Sequence, residues 1–230
     1  MRLTYHPGPF TVIASDNKWT VKKAIKELNQ HSEIMDMMGL RVSPYSAINI
    51  HVGTTKGGKE RSIKTFIESF NKLNPNAQKR LTVENDDKPS MYSVADLMEI
   101  HYATKIPIVF DFLHHDCHPG EHSMKDSLSA ALATWPFSIK PLTHYSSSRK
   151  INEDASCKVV AHADWIYEEI NDFGFTFDCE IESKGAELAV QPGSGTEGAA
   201  SGTSAPGSGR ARIHSGLRVR IRFGSGTGIR

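Results

Sequence analysis

Six short apolar runs in this 230-residue chain each stop at a histidine or a carboxylate. Residues 2–5 precede His6, 46–50 precede His51, 81–83 precede Glu84, 106–110 precede Asp111, 139–143 precede His144, and 175–181 precede Glu182. Imidazole and carboxylate together are a donor set for Zn²⁺ or Mn²⁺, and a carboxylate can bridge two ions. Two or three such ions, spaced about 3.5–4 Å apart, activate a water and stabilise both oxygens of an in-line phosphoryl displacement. A lone histidine at a strand end is usually a hydrogen-bonded structural residue. Six runs that all end this way point instead to a metal-dependent enzyme.

The individual signals differ. Asp111-Phe-Leu-His114-His115 places an acid and an imidazole three apart, so both can leave one strand end toward neighbouring metals. Val83-Glu84-Asn85-Asp86 is informative for the same positional reason, and His162 joins the set of informative histidines. His118 and His122 read as solvated loop residues, and His101 as ordinary packing on a helix face. His31 and His214 carry no functional expectation.

The runs themselves read as buried strands, being short, apolar and bounded by turn signals. Helical spacing separates most of them. Val21, Ala24, Ile25, Leu28, Ile34, Met35 and Met38 mark a helix over 18–38 closed by Gly39. A basic glycine loop follows at 56–59, and Ile63, Phe66, Ile67 and Phe70 form the stripe of a second helix. Ser93 caps a third, carrying Val94, Leu97 and Met98. Ser123-Met-Lys-Asp126 resembles a capping box and opens a fourth, with Leu128, Ala131 and Leu132. A shorter helix is expected over 164–170. This alternation dictates a parallel sheet with helical crossovers, hence an α/β fold. A closed barrel of this type needs eight strands in about 250 residues. Six strands in 190 residues therefore predict an incomplete TIM-type (β/α) barrel, with N-terminal strands missing before an abrupt start.

Composition divides the chain in two. Residues 1–190 are expected to form the partial barrel domain. Residues 191–230 are rich in Gly, Ser, Thr, Ala and Pro, then in Arg, and cannot bury enough apolar surface to offset ordering entropy. They read as a disordered tail, either an extension without function or a basic arm able to touch nucleic acid. The tail carries six Arg and one Glu, and the whole chain is +1, so the body is about −4. An acidic body suits a site that concentrates cations. Three cysteines lie far apart without a CxxC pair, which excludes a disulfide framework or zinc knuckle. No apolar run approaches the roughly 20 residues of a membrane span. A monomeric cytoplasmic protein with no membrane partner is the expectation.

The strand-end segments Tyr5-His-Pro-Gly8, Ile50-His-Val-Gly53, Val83-Glu-Asn-Asp86, Asp111-Phe-Leu-His-His115, Thr143-His-Tyr-Ser146 and Glu182-Ser-Lys-Gly185 together resemble the UV damage endonucleases. These are related to AP endonucleases of the endonuclease IV type. The segments occur in the family's order and cover roughly residues 1–187. The resemblance implies a TIM barrel that cuts double-stranded DNA 5′ to ultraviolet photoproducts by metal-assisted hydrolysis, leaving a 3′-hydroxyl. It implies up to three divalent ions, with Mn²⁺ the usual family metal and Zn²⁺ or Mg²⁺ as alternatives. His6, His51 and Glu84 would hold one ion. Glu84 would bridge to a second, held also by Asp111, His144 and Glu182, and His114 and His162 would hold a third. Glu84, His144 and Glu182 would carry the catalysis.

Departures from the family are specific. Pro9 and Phe10 stand where the family has a Gln and a Tyr that probe the duplex opposite the lesion. Phe10 retains the capacity to wedge between bases, whereas Pro9 has no donor. Leu142 stands where the family often has a modified Lys. Lys184 is placed to approach a phosphate, or else to form a surface salt bridge. About the first 90 family residues have no counterpart, so an N-terminally truncated member is expected, with a separate N-terminal segment as a partner. An AP endonuclease or sugar isomerase on the same barrel, or an inactive fragment, are the competing readings.

Overall fold

A computed structural model of the protein describes residues 2–185 and 218–221. The chain forms two compact units, residues 1–143 and 144–230. In the first, Asn17 opens α1 (Lys18–Met37) by accepting hydrogen bonds from the amides of Trp19 and Thr20. Gly39, at φ +70°, ends the helix, and the Leu40 amide reaches back to the Met35 carbonyl. Such a turn needs the left-handed region that glycine enters freely. β1 (Ile48–Ile50), α2 (Lys59–Phe70), α3 (Pro75–Arg80) and β2 (Leu81–Glu84) follow. Then come α4 (Val94–Thr104), β3 (Ile108–Asp111), α5 (Phe112–Cys117) and α6 (Met124–Ala133). Ser93 and Asp96 cap α4 reciprocally, and Ser123 caps α6 through the Asp126 amide.

The strands of this unit run parallel. Ile48 pairs with Leu81 and Ile50 with Val83, and Val83 in turn pairs with Ile108. Both faces are covered, so Ile48, Leu81, Val83, Ile108 and Phe110 are buried. Leu142 packs into a cluster with Ala47, Val109 and Trp135, which places it in the core. The run at 2–5 is not a strand but a single bridge, Tyr5 to Ile48. Its anchor is a side chain: the buried Arg2 guanidinium donates to the carbonyls of Pro44, Tyr45 and Lys140. The six-residue α3 was not foreseen.

β4 (Leu142–Tyr145) begins in the first unit and ends in the second, which also holds α7 (Arg149–Asn152), β5 (Asp178–Ile181) and β6 (Arg218–Ile221). The Glu182 amide donates to the Tyr145 carbonyl, fastening the ends of β4 and β5. The helix expected over 164–170 does not form. Glu153 accepts from the amides of Asp164 and Trp165, and Ser147 accepts from that of Tyr167. Side chains thus hold these amides in a non-helical path, offering the backbone an alternative to the helix. Within the stretch 191–230 expected to be a tail, residues 218–221 form β6, parallel to β5. The rest of that stretch lies outside the described residues.

Candidate metal centre

Parallel strands deliver their C-terminal ends to one edge, and the candidate donors sit there. Glu84 and Asp111 are the last residues of β2 and β3, and His51 follows β1 directly. His6 follows the Tyr5 bridge. Glu84 is the hub of this group and is 1% exposed. His6 Nε2 lies 3.2 Å from Glu84 Oε2, His51 Nε2 3.8 Å from the same oxygen, and His114 Nδ1 3.4 Å from Oε1. His51 Nδ1 lies 3.1 Å from Asp86 Oδ1. One donor atom each from His6, His51 and Glu84 fall within 4.8 Å of one another, and so do one each from Glu84, Asp111 and His114. Donors that sit roughly 2.0–2.2 Å from a common ion must lie at about this separation or less. Both triads therefore fit a divalent cation by donor chemistry and spacing.

Local structure fixes the ring orientations. His6 Nδ1 lies 3.0 Å from the Pro7 carbonyl and His114 Nδ1 2.9 Å from the Asn85 carbonyl. A carbonyl only accepts, so each of these Nδ1 atoms is held as a donor, and that bond fixes how the ring is turned. Asp111 caps α5: its Oδ1 accepts from the His114 amide at 2.8 Å. The cap sets the turn that brings His114 back beside the Asp111 carboxylate, 3.9 Å from Oδ1.

Charge is concentrated here. Burial pushes the His51 imidazole down, but Glu84, Asp86 and Asp111 outweigh it and hold it up at about 9. Burial likewise opposes protonation of His114, and Asp111 and Glu84 raise it. Without a cation, these carboxylates retain protons on the imidazoles, which is the response of a site built for positive charge.

In the second unit His144, in β4, is 1% exposed. Its Nδ1 lies 3.3 Å from Glu182 Oε1 and its Nε2 3.5 Å from Glu180 Oε2. His162 Nδ1 lies 2.9 Å from the Glu182 carbonyl and 3.9 Å from Oε2. Phe10 is 89% exposed in a turn closed by the Thr11 amide on the Gly8 carbonyl, with Pro9 beside it. Lys184 is exposed, with its amide donating to the Ala163 carbonyl.

Several partners were not anticipated. Asn49 Nδ2 donates to Glu84 Oε2 and Thr82 Oγ donates to Asn49 Oδ1. Asn85 braces Asp111 through both its amide and carbonyl groups. Glu180 was hidden inside an apolar run. The available signal was strand parity: residues 49 and 51, 82 and 84, and 180 and 182 each share a face. His118 is buried rather than solvated, because α5 ends on it through the His114 and His115 carbonyls. His101 Nδ1 donates to the Ile106 carbonyl, as a packed structural histidine does.

Parallel strands separated by helices, with imidazoles and carboxylates gathered at the strand ends, define an α/β protein of the TIM-barrel type with a candidate cation site. Residues 1–192 match the family described as UV-endonuclease UvdE, and the chain belongs to that family. It is similar to the UV DNA damage endonuclease of Bacillus cereus (strain B4264), at 37% identity over 199 residues, 83% of this chain and 60% of the relative. The UV DNA damage endonuclease of Bacillus thuringiensis subsp. konkukian (strain 97-27) is 36% identical over the same shares. The chain spans about 60% of the length of the curated relatives it matches. The crystal structure of SacUVDE is similar at a TM-score of 0.69 and 35% identity, covering 82% of this chain and 62% of that one. An L-ribulose 3-epimerase structure shares the fold at a TM-score of 0.51 and 14% identity, over 78% of this chain and 60% of that one. Among the described residues no helix is long and apolar enough to cross a membrane.

Proposed function

We propose that the chain is a metal-dependent endonuclease that nicks double-stranded DNA on the 5′ side of ultraviolet photoproducts, as a step of excision repair. The observation that carries this reading is the convergence of His6, His51, Glu84, Asp111 and His114 in a member of the UvdE family. His6, His51 and Glu84 would hold one divalent cation, and Glu84 and Asp111 offer donors toward a second. His144, Glu182 and His162 supply the same donor chemistry in the second unit. Cations bound by such donors, with Mn²⁺ the one proposed, neutralise phosphodiester charge and stabilise the attacking and leaving oxygens. The protein's own part is orientation. Asn49 pins the Glu84 carboxylate, Asn85 pins the Asp111 backbone, and carbonyls orient the imidazole rings. Phe10 stands clear of the fold beside His6, where an apolar ring can enter a base step that damage has already weakened.

Nicking of supercoiled plasmid tests this. With Mn²⁺ the chain should relax irradiated but not unirradiated plasmid, and Glu84→Gln should do neither. Silence of the wild type on irradiated plasmid, or equal nicking by the variant, overturns the reading. Cleavage confined to an abasic duplex moves the substrate class to AP sites.

A further inference from the structure

The first half of α1 runs against its own helix dipole. The N-terminal end of a helix favours negative charge, yet residues 18–26 carry Lys18, Lys22, Lys23 and Lys26 and no acid. Trp19, Lys22, Lys23 and Lys26 recur at helical spacing and share one face. That face lies opposite the one buried through Ala24, Leu28, Ser32 and Met35. Trp19 is 70% exposed, and the Lys23 ammonium lies 5.7 Å from its ring centroid. A sequence that accepts unfavourable charge placement and an exposed indole together has a use for both.

Two packed loops connect this face to the candidate site. The turn bearing Phe10 leaves His6 and packs on the loop after β1. A Cβ at Gly53 would lie 2.8 Å from Val12 Cγ2, so the two loops meet closely there. That loop then reaches the start of α1, where Lys56 Nζ lies 2.9 Å from Asp16 Oδ2, one residue before the N-cap. Exposed Phe10 and the exposed start of α1 thus both adjoin the loop after β1, with the Lys56–Asp16 pair beside the helix. The surrounding body is acidic, so the cationic patch is local. Cations interleaved with exposed aromatic rings suit a polyanion that also presents flat apolar groups, which is nucleic acid.

We propose that Trp19, Lys22, Lys23 and Lys26 form a docking surface for the backbone of duplex DNA flanking the cut site. The inference rests on the nuclease reading above and adds to it a surface that holds none of the donor residues. The lysines contact phosphates and therefore grip damaged and undamaged flanks alike, while Trp19 lies against a sugar or base.

Fluorescence anisotropy of the full chain tests it, using a duplex with a single photoproduct and its undamaged twin, in chelator, over a KCl series. Removing three phosphate contacts in Lys22→Gln/Lys23→Gln/Lys26→Gln should lower the slope of log K against log salt by about 2.7. Affinity near 0.1 M salt should fall by roughly 10²-fold, equally for both duplexes. Trp19→Ala should weaken binding by about tenfold with the slope unchanged. The lysine changes relieve the helix dipole, so circular dichroism should show an intact fold. If the wild type binds and the triple variant keeps its affinity and slope, this surface is refuted and the nuclease reading stands. If the wild type binds neither duplex at low salt, both fall.

Discussion

The histidine after β1 offers the sharpest physical test of the cluster. His51 is held at about 9 against an ordinary 6.5, because Glu84, Asp86 and Asp111 outweigh the burial that pushes it down. A rise of this size corresponds to about 3 kcal/mol of preference for the protonated ring in the folded state. The sign follows from linkage. The folded value exceeds the unfolded one, so this stability is fully present below pH 6.5 and is lost as pH rises through 9. About 3 kcal/mol is a large part of the 5–15 kcal/mol typical of a folded domain. Urea unfolding in chelator at pH 6.5 and pH 9 reads it directly, with His51→Gln as the reference for every other titrating group. The wild type should lose about 3 kcal/mol more than the variant across that window. His114 is raised by Asp111 and Glu84 and lowered by His51, so it contributes in both proteins and more in the variant. With a divalent cation present the trend should reverse, because the ion must displace the proton from the ring. Equal losses in wild type and variant, or a gain with rising pH in chelator, would refute the claim that these carboxylates crowd His51.

Two further substitutions probe how the loops around the site are held. Gly53→Ala places a methyl group 2.8 Å from Val12 Cγ2 at φ +82°, and thermal unfolding should report a loss of about 1–3 kcal/mol. Glu153→Ala removes the acceptor shared by the Asp164 and Trp165 amides and the Tyr167 hydroxyl. It should cost about 1–3 kcal/mol and expose the segment 149–172 to early trypsin cleavage, with a red shift of Trp165 emission.

The strands from β1 to β5 were legible because short apolar runs bounded by polar turns have few other stable homes in an α/β chain. Donors within one residue of their C-terminal ends were legible for the same reason, since the run stops where a side chain must meet something other than core. The caps show a limit: Ser93, and Ser123 with Asp126 three residues on, gave away two helices, whereas α3 is too short for periodicity to reveal. The segment 164–170 had helical composition, but two distant side chains, Glu153 and Ser147, captured its amides. The run at 2–5 misled in the same way, since Arg2 is fastened by carbonyls 42 to 138 residues away. Asn49, Asn85 and Glu180 were missed because amides and an acid in or just after a strand look like interruptions until the partner on the neighbouring strand is known. Local pattern therefore found the groups that end strands, and missed those whose meaning depends on a distant neighbour.

Asp111 combines two duties in one short side chain: one carboxylate oxygen starts α5, and the group as a whole belongs to the donor cluster. Asparagine would still close the helix but would surrender the charge, and glutamate would keep the charge while reaching past the amide it must cap. No near relative of aspartate can do both. Truncating this side chain therefore loses the donor and, with it, the turn that aims His114.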